Sequence, residues 1–182
     1  MLILWVLNDY YVEIADVQTA FLHGQLEETL YIDIPQGYHH FMKLFYPNHN
    51  IGNYLKLNKS IYGLVQAARS WWKKFSSTLI QELNFTVFEN DNCLLKRTVN
   101  NKNVYLIVYV DDCFVMGDKK EVQKTLQEIS KFFKIKCSND INDFIGCHIE
   151  RNKNTIMLSQ HDLIERILQN FKQDLKQTKL FD

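Results

Sequence analysis

Two adjacent carboxylates, Asp111 and Asp112, interrupt an otherwise apolar stretch, with VYLIVYV before them and CFVMG after them. Such a pattern is typical of a buried β-hairpin, and one interpretation is that the pair forms its polar turn, since tight turns often contain Asp. However, tight hairpin turns require positive φ, which favours Gly or Asn, and adjacent carboxylates repel each other by about 1 kcal/mol at ~4 Å in water. A cation beside the pair would relieve this repulsion.

A hard divalent cation suits these ligands, because Mg²⁺ in proteins is usually held by one or two carboxylates together with substrate phosphates. A third acid would complete a site for two metal ions. Asp16 is the best candidate, since it lies near the end of the predicted strand YYVEIADV, residues 10–17. The strand period of two places Val12, Ile14 and Asp16 on one face.

The remaining elements alternate between strand and helix signals. Short strands at 31–34 and 54–57 flank a predicted loop that contains both prolines and three of the six histidines. Hairpins are expected before and after the carboxylate pair and across RNKN at 151–154. Three amphipathic helices are predicted. The apolar face of the first consists of Leu64, Ala68, Trp72, Phe75, Leu79 and Leu83. The second follows a capping box of Asp118 and Glu121, with the apolar face Val122, Leu126, Ile129 and Phe133, and the third follows a cap at Ser159 with Asp162, with the apolar face Leu163, Ile167 and Phe171.

The composition limits the kinds of partner. Lys plus Arg and Asp plus Glu number 21 each in 182 residues, so any attraction to nucleic acid or membranes must be local. The four cysteines have no CxxC spacing, which indicates reduced thiols in an intracellular protein and disfavours a zinc site. The apolar N-terminus, MLILWVLNDYY, is too short to span a bilayer, and we identify no targeting signal.

Four longer stretches occur in a specific order: DVQTAFLHGQLEETLYIDIPQGY (16–38), KLNKSIYGLVQAARSWW (56–72), YVDDCFVMGD (109–118) and FIGCHIERNKNTIMLSQ (144–160). Together they resemble the reverse transcriptase domain of copia-type LTR retrotransposons. The resemblance covers nearly the whole chain, from about Tyr11 to Phe171.

The resemblance implies an α+β fold, a polymerase palm-like antiparallel sheet backed by helices with the fingers truncated. It implies a domain at 1–171, consisting of the palm and partial fingers, and the start of a truncated thumb or connection at 172–182. Asp16, Asp111 and Asp112 match the catalytic aspartates, with Asp112 in a lesser role. They would hold two Mg²⁺ ions, for which Mn²⁺ could substitute, and promote attack of a primer 3′-hydroxyl on a dNTP.

The resemblance also implies roles for other residues. Phe21 would lie under the sugar of the nucleotide and exclude a 2′-hydroxyl, although an ordinary core aromatic is the alternative. The nucleotide-binding set would be Val17, Phe21, Gly63 and Gln66. Nucleic acid would contact Arg69, Lys73, Ile145 and Gly146, where the alternatives are a solvated helix face and a hairpin glycine.

The expected partners are an RNA or DNA template with its primer, dNTPs, and the ribonuclease H and integrase parts of a Pol polyprotein. No membrane is expected, and the expected location is intracellular, in cytoplasmic particles. Three departures weaken the match. Val65 stands where lysine is common, and only 15 residues precede Asp16, so the basic fingers segment is expected to be missing. The chain also stops soon after the last predicted helix, so most of the thumb or connection and the ribonuclease H domain are expected to be absent. A catalytically inactive relic or a co-opted nucleic-acid-binding fragment is therefore the alternative. A palm-type nucleotidyl cyclase is disfavoured because the chain has no Gly-Gly-acidic turn.

Overall fold

The computed structural model describes the backbone of residues 1–177 and the side chains of residues 1–172. The chain divides into two compact units. Unit 1 comprises Met1–Gln18 together with the chain from Asn84 onward, and unit 2 comprises Thr19–Leu83. Both carry helices and short or long strands, and every described strand pair is antiparallel, so the fold is α+β as predicted.

The elements of unit 1 are α1 (Leu2–Asn8), β1 (Tyr11–Val17), β4 (Thr86–Phe88), β5 (Asp91–Val99), β6 (Lys102–Tyr109), β7 (Asp112–Gly117), α4 (Lys119–Ile129), β8 (Ile135–Ser138), β9 (Asp143–Phe144), β10 (Cys147–Asn152), β11 (Thr155–Ser159) and α5 (His161–Gln177). The strands form a six-stranded sheet with the order β4-β5-β6-β7-β1-β8 and a three-stranded sheet with the order β11-β10-β9.

Unit 2 contains a 3-10 helix (Ala20–His23), β2 (Tyr31–Asp33), α2 (Tyr38–Phe45), β3 (Tyr54–Lys56) and α3 (Ala67–Leu83). The strands β2 and β3 pair with each other, as the two short runs predicted. The segment between them is not only a loop, because α2 occupies eight of its residues. The prediction of a loop was wrong there, since the prolines lie outside the helix and do not interrupt it.

The six-stranded sheet of unit 1 is covered on both faces. On one face, Trp5 from α1 and Ile149 from β10 pack with Val12, Phe114 and Met116 of the central strands. The helix α4 contacts β1, β6 and β7. Its predicted apolar positions are all buried, including Phe133 just beyond the helix end. The hairpins β5–β6 and β10–β11 also form as predicted.

Two helix faces differ from the prediction. In α3 the buried side chains are Ala67 and Trp71, and not the predicted Ala68 and Trp72. Two neighbouring rows of residues along this helix both follow steps of three and four, and packing determines which row is buried. The helix α5 begins at His161, after Ser159 has ended β11. Its apolar face is exposed and not turned inward: Leu163, Ile164, Ile167, Leu168 and Phe171.

The predicted boundary between residues 171 and 172 falls within α5 and stays a prediction. Residues 178–182, which belong to the predicted start of a thumb or connection, lie outside the described part of the chain. Across the residues described, no helix combines the length and the apolar character that crossing a membrane would take.

Candidate active site

The candidate active site lies where β1 and β7 pair. The register places Asp16 directly opposite Asp112, and the preceding pair on the same face is Ile14 with Phe114. Directly opposed residues of antiparallel strands have Cα atoms about 4.5–5.5 Å apart and side chains on one face. The two carboxylates therefore lie side by side, at the edge of the apolar cluster that anchors their strands.

The hairpin between β6 and β7 supplies the third carboxylate. Tyr109 pairs with Asp112, so the two-residue turn consists of Val110 and Asp111, and Asp112 already belongs to the strand. The turn considered from sequence, Asp111–Asp112, was therefore wrong by one residue. Val110 takes the required positive φ, at 57°, which is unfavourable for a β-branched residue. The turn is tied to β1, because the Val17 N–H donates to the Asp111 carbonyl at 2.8 Å.

The three aspartates influence one another electrostatically. Partial burial raises the pKa of Asp112, and the negative charges of Asp111 and Asp16 raise it further. Burial also raises the pKa of the adjacent Cys113 thiol, and the same three carboxylates add to that effect. Negative charge is thus unfavourable at this end of the hairpin in the absence of a counter-ion.

The donor chemistry fits a hard cation, since three carboxylates offer only oxygen ligands. Burial, and to a smaller extent the charges of Asp111 and Asp16, raise the pKa of Asp112, and a bound cation would oppose both effects. As the side chains stand, however, no group of three or more His, Cys, Asp or Glu residues within the described range is arranged to hold a metal ion. The aspartates are neighbours, but they do not form a closed ligand set.

The predicted polar contacts of unit 2 lie along the start of α3, and acidic side chains engage two of them. The Gln66 amide donates to Glu28 at 2.6 Å. Lys73 forms an ion pair with Glu27, and this lysine, with a smaller contribution from Arg69, lowers the pKa of Glu27. Glu27 and Glu28 were missed from sequence, because no spacing rule links residues that are 46 and 38 positions from their partners.

The other nucleotide-binding candidates fall in both units. Val17 belongs to unit 1, and its side chain is buried. In unit 2, Phe21 is half-buried with its ring centroid 4.5 Å from that of Tyr62, and its carbonyl accepts a hydrogen bond from Ser60. Gly63 has φ of 93° with open space around it, so a turn that favours glycine precedes α3.

The remaining candidates, Ile145 and Gly146, form the two-residue turn between β9 and β10 in unit 1. Both have positive φ, at 53° and 71°, which supports a tight turn at this point. They belong to the three-stranded sheet, whereas the aspartates belong to the six-stranded one. Val65, where the resemblance expects lysine, is 95% exposed, so its environment would accept a charge.

Comparison with known proteins identifies the family. The model of the family described as "Reverse transcriptase (RNA-dependent DNA polymerase)" matches residues 1–180. The chain is 37% identical over 166 residues to the "Retrovirus-related Pol polyprotein from transposon TNT 1-94" of Nicotiana tabacum, covering 90% of this chain and 12% of that protein.

Two further relatives are the "Retrovirus-related Pol polyprotein from transposon RE1" of Arabidopsis thaliana and a putative transposon Ty5-1 protein of Saccharomyces cerevisiae. They are 32% and 29% identical over 154 and 153 residues, which cover 84% and 83% of this chain. The chain spans 10% of the first of these proteins and 47% of the second. Since the family model matches almost all of it, the chain belongs to the reverse transcriptase family, in the branch of copia-type retrotransposon Pol polyproteins.

Proposed function

We propose that unit 1 is the palm of an RNA-directed DNA polymerase, in which Asp16, Asp111 and Asp112 hold two Mg²⁺ ions for nucleotidyl transfer. The observation that carries the proposal is the register of β1 against β7, with Asp16 opposite Asp112 and the Asp111 turn bonded to β1. Residues 95 positions apart in the sequence thereby supply oxygen ligands to one end of one strand pair.

The aspartates act in this proposal as ligands and not as proton donors. When bound, the metal ions would lower the pKa of the primer 3′-hydroxyl and neutralise charge on the triphosphate and the leaving pyrophosphate. Asp16 and Asp111 would be the principal ligands, with Asp112 in a lesser role. The apolar cluster beside Asp16 and Asp112 packs against their strands and so fixes where these two residues lie on the sheet.

Unit 2 supplies the proposed substrate contacts. In unit 2, Phe21 would sense the sugar of the dNTP, and Gly63 and Gln66 are proposed nucleotide contacts. Val17 is a proposed nucleotide contact in unit 1. Arg69 and Lys73 would contact template or primer phosphates, and Ile145 with Gly146 in unit 1 would approach the primer backbone. Gln66 and Lys73 must exchange their contacts with Glu28 and Glu27 for contacts with the ligand.

The chain's polymerase activity is proposed to belong to a longer Pol polyprotein that also contains ribonuclease H and integrase, acting in cytoplasmic particles. The alternative, an inactive relic or co-opted nucleic-acid-binding fragment, rests on the departure at Val65, where the resemblance expects lysine.

Primer extension tests the proposal. The chain, and a longer polyprotein segment that includes it, are assayed on poly(rA)/oligo(dT) with Mg²⁺ or Mn²⁺. We expect incorporation of dTTP that Asp111→Asn abolishes and Asp140→Asn leaves unchanged, since Asp140 lies in an exposed loop of the same unit. If the folded proteins bind template–primer but neither incorporates dTTP, the polymerase proposal is wrong and the relic alternative is favoured.

A further inference from the structure

Phe21 lies on a piece of backbone that has little stability of its own. It belongs to a 3-10 helix of only four residues, Ala20–His23, and the hydrogen bonds of 3-10 helices have poor geometry. Thr19, which precedes this helix, has φ of 55°, which is unfavourable for a β-branched residue. Contacts from other parts of unit 2 must therefore fix the position of Phe21.

Ser60 provides such contacts, although it is 39 positions from Phe21 in the sequence. Its side chain is 0% exposed, and its hydroxyl donates a hydrogen bond to the Phe21 carbonyl. The Ser60 N–H donates to the carbonyl of Gly24, the residue that ends the 3-10 helix, at 3.1 Å. The Gly24 N–H in turn donates to the Phe21 carbonyl at 3.0 Å. One buried serine thus holds both Phe21 and the end of its helix.

The close approach of Ser60 depends on Gly24. A Cβ atom at position 24 would lie 2.5 Å from the Ser60 Oγ and 2.9 Å from the Ser70 Cβ, and both distances are too short. The φ of Gly24 is −68°, which other residues adopt readily, so glycine is needed here for space and not for conformation. The absence of a side chain at Gly24 therefore admits the Ser60 hydroxyl to the Phe21 carbonyl.

The ring of Phe21 is contacted from the same segment. Tyr62, two residues after Ser60, has its ring centroid 4.5 Å from that of Phe21. We propose that Ser60 positions the backbone of Phe21 and Tyr62 positions its ring, and that the two residues together set the selectivity for the sugar of the incoming nucleotide. Because Phe21 acts on the sugar only in the proposed function, this role of Ser60 and Tyr62 rests on that function.

The expected consequence of losing Ser60 is a loss of selectivity. A ring that excludes a 2′-hydroxyl acts by steric contact, and such contacts need positions held within about 0.5 Å. A displaced Phe21 ring would admit the 2′-hydroxyl of a ribonucleotide, whereas a deoxynucleotide has no hydroxyl there and is affected less. A serine that only stabilised the fold would change the incorporation of both nucleotides equally.

Primer extension on poly(rA)/oligo(dT) with dTTP or ribothymidine triphosphate compares two substrates that differ only at the 2′ position. We expect Ser60→Ala to lower the ratio of kcat/KM for dTTP over the ribonucleotide by about fivefold. Ser70→Ala is the matched control, because it removes a hydroxyl on the other side of Gly24, and it should leave the ratio unchanged. Tyr62→Ala should also lower the ratio, and Tyr62→Phe, which keeps the ring, should restore it.

A second substitution separates positioning from a general effect. In a Phe21→Ala background the ring is absent, so Ser60→Ala should not change the ratio further. An unchanged ratio in Ser60→Ala, an equal loss of incorporation for both nucleotides, or an effect that persists in the Phe21→Ala background overturns the proposal.

Fluorine NMR measures the positioning of Phe21 without polymerase activity. The chain is labelled with 4-fluorophenylalanine, and Phe21→Leu identifies the Phe21 signal among those of the 12 phenylalanines. We expect Ser60→Ala to shift this signal and Ser70→Ala to leave it in place. A Ser60-dependent signal without dTTP incorporation contradicts only the polymerase proposal. Incorporation of dTTP with a signal and a ratio that do not depend on Ser60 contradicts only the positioning role.

Discussion

The two units of this chain differ in the sign of their charge. Thr19–Leu83 carries six Lys and Arg against four Asp and Glu, which leaves fifteen basic and seventeen acidic residues for the rest. Unit 1 holds the paired aspartates, whereas unit 2 holds the candidate contacts to substrate phosphates. A net charge of zero for the whole chain can therefore conceal a separation between the residues proposed for catalysis and those proposed for binding.

The units also differ in how their charges are satisfied. In unit 2, Glu27 and Glu28 already engage the side chains of Lys73 and Gln66, so those groups have partners before any ligand arrives. In unit 1, Asp112 gains only repulsion from its acidic neighbours. The binding groups are thus stabilised in the absence of ligand, and the proposed catalytic groups are destabilised, which is a common cost of active sites.

The largest expected effect separates turnover from binding. Asp16→Asn should lower the rate of dTTP incorporation at saturating template–primer by on the order of 10³-fold, because a charged metal ligand is lost, with unchanged template–primer affinity. Lys73→Gln should instead weaken affinity by about fivefold with a similar saturated rate. Single-turnover kinetics and anisotropy measure the two quantities. An equal loss of saturated rate in both variants would contradict the assignment of catalysis to unit 1 and of binding to unit 2.

A smaller effect contrasts two aspartates at opposite ends of β7. Asp112→Asn should raise the melting temperature at pH 7 by roughly 2–4 °C, which corresponds to about 1 kcal/mol of relieved like-charge repulsion. Asp118→Asn should lower the melting temperature, because Asp118 caps α4 by accepting a hydrogen bond from the Lys120 N–H. Asp118 also forms an ion pair with Lys102 at 2.6 Å, and this lysine lowers the pKa of Asp118. Thermal denaturation monitored by circular dichroism measures both.

The pH dependence of these two changes should also differ. The cost of ionised Asp112 is present at neutral pH and disappears as the pH falls through its raised pKa. The contribution of Asp118 persists to lower pH and is lost only as the pH falls from its ordinary value through the depressed pKa. On acidification the effect of Asp112→Asn should therefore vanish first. The reverse order would contradict this assignment of charges.

The smallest effect concerns the ion pair on α3. Glu27→Gln should strengthen template–primer binding about twofold, because phosphate no longer competes with a carboxylate for Lys73, and exposed pairs contribute little to stability. Glu82→Gln, which removes the same charge near the end of α3, is the matched control and should change affinity less. In a Lys73→Gln background the gain from Glu27→Gln should disappear, and a gain that persists there would indicate a general charge effect.

Much of unit 1 could be predicted from sequence, because its signals are local. Alternation of apolar residues, the Asn100–Asn101 turn and the Asp118 cap each specify a neighbouring element, and all three form. The face shared by Val12, Ile14 and Asp16 follows from the strand period, and the register confirms it. Local patterns do not determine which strands pair, so the pairing of β1 with the hairpin required the structure.

The misses have physical causes. The helix α2 is only eight residues long and lies between turn-forming residues, so the turn signals outweighed its apolar spacing. In α3 the row through Trp71 and the row through Trp72 have the same spacing, and only packing distinguishes them. The exposed face of α5 carries a normal amphipathic pattern, since a pattern specifies which face is apolar and not whether anything covers it.

Cys113 follows the carboxylate pair directly, and its buried thiol has a raised pKa. Because the thiolate is the reactive form, the folded hairpin should keep this cysteine protected from alkylation and oxidation, while the exposed Cys93 and Cys137 remain accessible. The rate at which Cys113 reacts would then report how often the strands that carry Asp16 and Asp112 separate. The rate of Cys113 alkylation would thus measure the opening of the proposed active site without an added label.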